Sequence, residues 1–269
     1  MKSGWFVIGF FIFLFGALPL SGNVIIVGGL THEHEARIGE SYEGSIEIKN
    51  IEDRPQEVKI YQTDYSFYAD GRILYSNPGK MPRSNAHWIT FSPKRLTVPP
   101  KDTVFVHYTV KVPNQADLKG TYWSIFMVEL VPENSPESSL GNPDKVGLGI
   151  RQLFRYGIQV VTQIGDTGTR KLEFLSTKLL KDGDKQFLQL DIGNTGERWL
   201  RSSLWVELYN EEGNYMGKYE GGSLRIYPTT SVRFKVDLSS VPNNTYKALV
   251  VIDCGDDNVF GANFNLVVK

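Results

Sequence analysis

The chain holds one cysteine, Cys254, in 269 residues, so it cannot close an internal disulfide, and a lone thiol builds neither a thiolate metal site nor a CxxC redox pair. Disulfide scaffolds and cysteine-rich zinc folds are excluded. An odd cysteine in an exported protein can bridge two chains, but Cys254 follows the apolar run Ala248 to Ile252, and burial of a small side chain explains it more simply. An excess of charge is missing too: 29 Lys and Arg stand against 30 Asp and Glu, a formal charge of -1, which leaves no global attraction to nucleic acid. The GxSxG and HExxH signatures, the P-loop and the dinucleotide fingerprint are absent. What remains is 41% hydrophobic and 22% charged, enough apolar matter for a packed core, in a length that fits two domains.

The one long apolar run stands at the start. Lys2 precedes Trp5 to Leu20, which Ser21, Gly22 and Asn23 follow, the order of a secretory signal peptide spanning 1–22. The run has 16 residues interrupted by Gly9, Gly16 and Pro19, short of the roughly 20 that a spanning helix needs. No cysteine follows to take a lipid, and no second apolar segment precedes Lys269. The expected mature product is soluble, without a stable membrane anchor, in the periplasm or outside the cell.

From Ser45 onward short runs rich in Val, Ile, Thr, Tyr and Phe alternate with period two, and no helical period follows the signal. In Thr103 to Lys111, Val104, Val106, Tyr108 and Val110 share one face. The same test turns inward Leu188, Leu190 and Ile192; Leu204, Val206 and Leu208; Val232, Phe234, Val236 and Leu238; and Phe260, Ala262, Phe264, Leu266 and Val268. Asp70-Gly71, Asp182-Gly183, Asn194-Thr195-Gly196 and Glu212-Gly213-Asn214 supply residues that tolerate positive φ. Short antiparallel strands at this spacing predict an all-β fold of two tandem immunoglobulin-like β-sandwich domains. The polar bridge Gly165 to Thr169 sets the bounds at 23–165 and 166–269, with about seven strands in each half.

One segment is too long for that scheme. After the proline-rich loop Pro132 to Asp144, Val146 to Val161 alternates without a break: Val146, Leu148, Ile150, Phe154, Tyr156, Ile158 and Val160 share a face. At ~3.3 Å per residue it spans roughly 50 Å, against ~17–20 Å for an ordinary strand. Its first part offers a free edge and an apolar row for pairing with another chain; folding back as a hairpin, or bending at Gly147 and Gly149, is the alternative.

Trp88 to Tyr108 (WITFSPKRLTVPPKDTVFVHY), Ser45 to Asn50 (SIEIKN), Gly120 to Leu130 (GTYWSIFMVEL) and Ile150 to Tyr156 (IRQLFRY) resemble segments of the periplasmic pilus-assembly chaperones. Asp191 to Gly196 (DIGNTG), Ile226-Tyr227-Pro228 and Thr245 to Ile252 extend the resemblance into the second half. It implies two immunoglobulin-like domains set at an angle, a long strand that fills a gap in a client subunit, and two basic residues between the domains that hold the client's C-terminal carboxylate. On that pattern Val146, Leu148 and Ile150 match the donated row and Arg151 or Arg155 the basic anchor, a guanidinium giving a carboxylate two parallel hydrogen bonds. The first-strand anchor has no matching arginine, so His34 or Arg37 would have to substitute, and the hairpin-like stretch Tyr65 to Asn85 exceeds the family's pattern. The resemblance is therefore to a divergent member.

Other clusters are weaker. His32 and His34 share a strand face but lack a third metal ligand, and Asp253, Asp256, Asp257 and Asn258 fit no calcium loop. His107 has no nucleophile tied to it by sequence. Trp199, Arg201 and Trp205 form an outward stripe that suits a sugar, a protein partner or, preferred here, the contact between domains. The expectation is thus a non-enzymatic, chaperone-like module of the cell envelope, with no cofactor and no metal, that binds a secreted or surface protein subunit by strand pairing. The alternative is an adhesion or scaffolding module similar to WxL-interacting proteins, contacting cell-wall glycan or a host ligand.

Overall fold

The computed structural model describes residues 23–133, 135, 138–139 and 154–268; the expected signal peptide lies outside them. Ten strands make up the first half: β1 Val24–Val27, β2 Thr31–Ala36, β3 Ser41–Asn50, β4 Gln56–Phe67, β5 Ile73–Ser76, β6 Ile89–Ser92, β7 Arg95–Val98, β8 Thr103–Lys111, β9 Gly120–Leu130 and β10 Arg155–Ile164. Seven make up the second: β11 Leu172–Asp182, β12 Lys185–Asn194, β13 Leu200–Tyr209, β14 Tyr215–Ile226, β15 Ser231–Asp237, β16 Asn244–Asp253 and β17 Val259–Val268. A 3-10 turn at Ala86–Trp88 is the other regular element among the described residues.

In the first sandwich the sheet β1-β3-β8-β6 packs on β2-β10-β9-β4-β5, with β7 beside β4; in the second β11-β12-β15 packs on β14-β13-β16-β17. The alternating rows read from the sequence supply both cores. Val106, Tyr108 and Val110 meet Phe126, Ile158 and Val160 in the first. Leu188, Leu190 and Ile192 meet Leu204, Val206 and Leu208 in the second, all six without exposed surface, each contributing about 1.5–3 kcal/mol by burial.

The first sandwich has ten strands against the expected seven, one of the extra three arising because its leading strand is cut in two. Gly28, at φ +88°, lets the chain turn where a side chain would be strained, so β1 pairs antiparallel with β3 in one sheet while β2 pairs parallel with β10 in the other. Tyr65 to Asn85 forms the expected hairpin in part, β4 running on to Phe67 and β5 returning along it. Asn194-Thr195-Gly196 departs from expectation. None of the three has positive φ; Gly196 is required for space, since a Cβ there would lie 2.6 Å from the Thr169 carbonyl oxygen.

The sandwiches meet through Trp123, Val161 and Tyr227, buried with Phe67, Met81 and Trp199 packed around them. Backbone bonds fix the join: the Thr121 N–H donates to the Glu197 carbonyl (2.8 Å). The Trp199 N–H donates to Thr121 Oγ1 (2.9 Å). The turn of the β4–β5 hairpin is tied across as well, Ala69 N–H donating to Ser231 Oγ at 2.9 Å.

Candidate functional site

Two features of the first sandwich are open to a partner, and both involve β10. The first is an edge. On one side β10 pairs with β9 along its whole length, from Arg155↔Glu129 to Ile164↔Gly120. On the other, β2 covers it only from Gln159↔Thr31 onward. Residues 155–158 therefore have no strand on that side among the described residues, because β1 has left for the opposite sheet. The Tyr156 hydroxyl donates to the Val24 carbonyl at 2.8 Å, which pins β1 in that displaced position.

Arg155 opens this edge and projects outward, its guanidinium 2.7 Å from Glu129. Glu129 also takes Lys59 at 3.3 Å and a hydrogen bond from the Tyr61 hydroxyl at 3.0 Å. Partial burial pushes the Glu129 carboxyl up, but Tyr61, Arg155 and Lys59 together hold it below the usual carboxylate range. Arg155 lies at the end of β10 away from the second sandwich, nine residues from Ile164. Of the other residues expected to contact a partner, Val146, Leu148, Ile150 and Arg151 lie outside the described residues.

The second feature is a cleft of about 440 Å³ between the sandwiches, walled by Tyr65, Phe67 and Ile73 on one side and Leu224 and Val232 on the other. Its polar groups include Gln159, Tyr227 and Arg225. The Tyr227 hydroxyl donates to Gln159 Oε1, and burial pushes that hydroxyl's pKa well up. Arg225 stacks its guanidinium over the Trp199 ring, 4.5 Å from the centroid. Beside them Glu33 Oε1 accepts from Trp199 Nε1 (2.9 Å) and Gln163 Nε2 (3.1 Å). Burial raises the Glu33 pKa against the pull of Arg225, Arg198 and Arg201. The result is an apolar slot of ligand-pocket size with a cation at one wall.

The first-strand substitutes do not reach this slot. His34 stacks on Tyr42 with centroids 3.9 Å apart, and the Arg37 N–H binds Glu40 in the following turn. The cleft's cation comes instead from β14, in Ser223-Leu224-Arg225-Ile226, a stretch whose sequence carries no sign of it. The tryptophan stripe divides. Trp199 joins the contact between sandwiches, as preferred, while Trp205 lies on the outer face of β13 with Lys218 Nζ 4.2 Å from its ring centroid. His32 Nδ1 shares a 2.9 Å hydrogen bond with the Tyr108 hydroxyl, and among the described residues no three His, Cys, Asp or Glu side chains are grouped to hold a metal. Asp253 to Asn258 connects β16 to β17, with Asn258 Nδ2 donating to the Gly255 and Asp256 carbonyls. Cys254 is half-buried, and burial pushes its thiol up to about 11.

No protein-family model matches the chain, and no curated relative matches it. Solved structures resemble it at low identity. One is a chaperone–tip adhesin complex of CFA/I fimbriae biogenesis (14% identity, covering 91% of this chain and 98% of that one, TM-score 0.48). Another is the class 5 fimbriae chaperone CfaA (13%, 92% and 100%, TM-score 0.47). A third is the CsuC–CsuE chaperone–tip adhesion subunit complex of archaic chaperone-usher Csu pili of Acinetobacter baumannii (15%, 89% and 98%, TM-score 0.47).

Proposed function

We propose that this chain is a non-enzymatic, chaperone-like binder of the cell envelope, with domains at 23–165 and 166–269, that pairs an extended strand of a secreted or surface subunit along β10. The observation that carries the reading is the uncovered edge at 155–158. Backbone N–H and C=O groups left free at an edge bind an incoming strand, and alternate side chains then select it. The apolar row that begins at Val146 in the sequence leads directly into this edge, and Ile158 and Val160 continue it into the core. Arg155 stands at the mouth of the edge, where the carboxylate it now pairs with is replaceable by one from the client.

In this reading the cleft receives the end of the client chain. Arg225 supports this because no carboxylate among the described residues is shown within ion-pair distance of it, Glu33 acting on it only at longer range, and the cleft walls beside it are apolar. A guanidinium gives a carboxylate two parallel, charge-assisted hydrogen bonds.

The test is capture from the native envelope with residues 23–269, comparing wild type with an I150D/R151A double variant and with R225A. An ionised carboxylate in the donated row resists burial. A secreted subunit held by wild type, lost from the double variant and weakened by R225A is the expected result. Equal recovery by wild type and the double variant sinks the strand-pairing reading.

A further inference from the structure

A sheet edge is a template for another strand unless charge, proline, a bulge or short length blocks it. Most edges in this protein are guarded. β2 carries two glutamates, β11 and β15 carry charges of both signs, β14 adds two register shifts to its charges, and β1, β5, β6 and β7 are four residues long. Apart from residues 155–158 of β10, β17 is the exception among the described residues. Its ten residues, Val259–Val268, include no charge and no proline. They pair with β16 without a register shift, from Asn244↔Val268 to Asp253↔Val259. Its other edge has no strand among the described residues.

The interior is also unfinished along this edge. On β16 the inward Ala248, Val250 and Ile252 are at most 1% exposed, whereas Phe260, Ala262 and Phe264 of β17 are only partly buried. Phe260 and Phe264 pack against the core without being closed over by it.

We propose that β17 is a dimerisation edge, on which a second copy of this chain pairs antiparallel about a two-fold axis at Asn263. In this register Val259 meets Val267, Phe260 meets Leu266, Gly261 meets Asn265 and Ala262 meets Phe264. Apolar faces apolar on the inner side, with the small Ala262 beside the large Phe264. A slip by one residue would turn Phe260 to the outer face of the partner sheet, so the pleat disfavours it. A strand that meets its own copy near a two-fold axis sets like charges close together, which destabilises the pair. β17 has none to set, and its inner row is complementary to itself about Asn263, Phe260 against Leu266 and Ala262 against Phe264, which favours a second copy as the occupant. The contact is isologous and joins two four-stranded sheets into one.

Sedimentation equilibrium of residues 23–269 tests this. Asn263 is exposed, so N263K should leave the fold intact while setting two lysines face to face, weakening the dimer by roughly tenfold. N263D should do the same, and mixing N263K with N263D should restore association. In a C254S background, N263C should form a disulfide-linked dimer under mild oxidation, because the axis brings the two copies of position 263 together. A wild-type chain that stays monomeric at about 100 µM, where a micromolar contact would be filled, overturns the proposal. So does an N263K chain that dimerises as well as wild type.

Discussion

Asn50 ends β3 in the first sandwich and Asn194 ends β12 in the second, and the two make matching sets of bonds. Asn50 Nδ2 donates to the Arg54 and Val98 carbonyls (2.8 and 3.1 Å) while Oδ1 accepts from the Glu52 N–H (2.9 Å). Asn194 Nδ2 donates to the Arg198 and Ile226 carbonyls (2.7 and 2.9 Å) while Oδ1 accepts from the Gly196 N–H (2.9 Å). Each asparagine anchors a proline-containing turn with one residue at positive φ, Lys101 at 55° and Thr229 at 62°. The surroundings differ. The turn at Lys101 stands in solvent, whereas the turn after Ile226 carries Tyr227 into the contact with Trp123 and Trp199. One local device closes a surface tip in one domain and mortars two domains together in the other.

That contrast can be broken by removing the amides. Asn194→Ala takes the amide donor from the Ile226 and Arg198 carbonyls in a buried place, while the Gly196 N–H keeps its bond to the Lys171 carbonyl, and should cost about 3 kcal/mol, read as a lowered midpoint in urea unfolding. Asn50→Ala should cost less, about 2 kcal/mol, because the Arg54 side of its turn reaches water. Equal losses would mean that the domain contact adds nothing to the second knot. Tyr227→Phe sharpens the comparison at a smaller scale, at about 1 kcal/mol, since the hydroxyl's hydrogen bonding to Gln159 and Arg225 is lost while the ring stays packed.

The smallest effect is one of pH. Burial raises the Glu33 pKa above 4.5, its ordinary value, so the folded state holds this proton more firmly than the unfolded state does. The Glu33 contribution to stability is therefore greatest below pH 4.5 and falls as pH rises through the folded-state pKa. Glu33→Gln should flatten that part of the stability–pH curve. An unchanged slope would place the linkage on another group.

Much of the fold was legible because alternation reports one-sided burial within a single strand. Leu188 to Ile192 and Val232 to Leu238 needed no knowledge of their partners, and all of their inward residues are buried. The crossing of the leading strand was not legible: Gly28-Gly29 marks a flexible point, but the sheet that β2 joins depends on β10, more than a hundred residues away. The cleft was hidden for the same reason. Its residues come from β2, β4, β5, β10, β14 and β15 and share no local pattern, so Arg225 looked like any arginine in an alternating strand. Trp199 and Trp205 looked alike, yet only Trp199 stands at the end of β13 that meets the first sandwich.

The join itself is built around two glycines. A Cβ on Gly120 would lie 2.1 Å from the Glu197 carbonyl oxygen, and one on Gly168 would lie 2.7 Å from the Gly120 Cα. Any side chain there acts as a wedge, and without one the halves seat like the parts of a closed hinge, with the Thr121 and Trp199 bonds as its pin. Changing the angle between the sandwiches therefore means breaking those bonds, since the two bare positions leave the backbones no room to slide past each other.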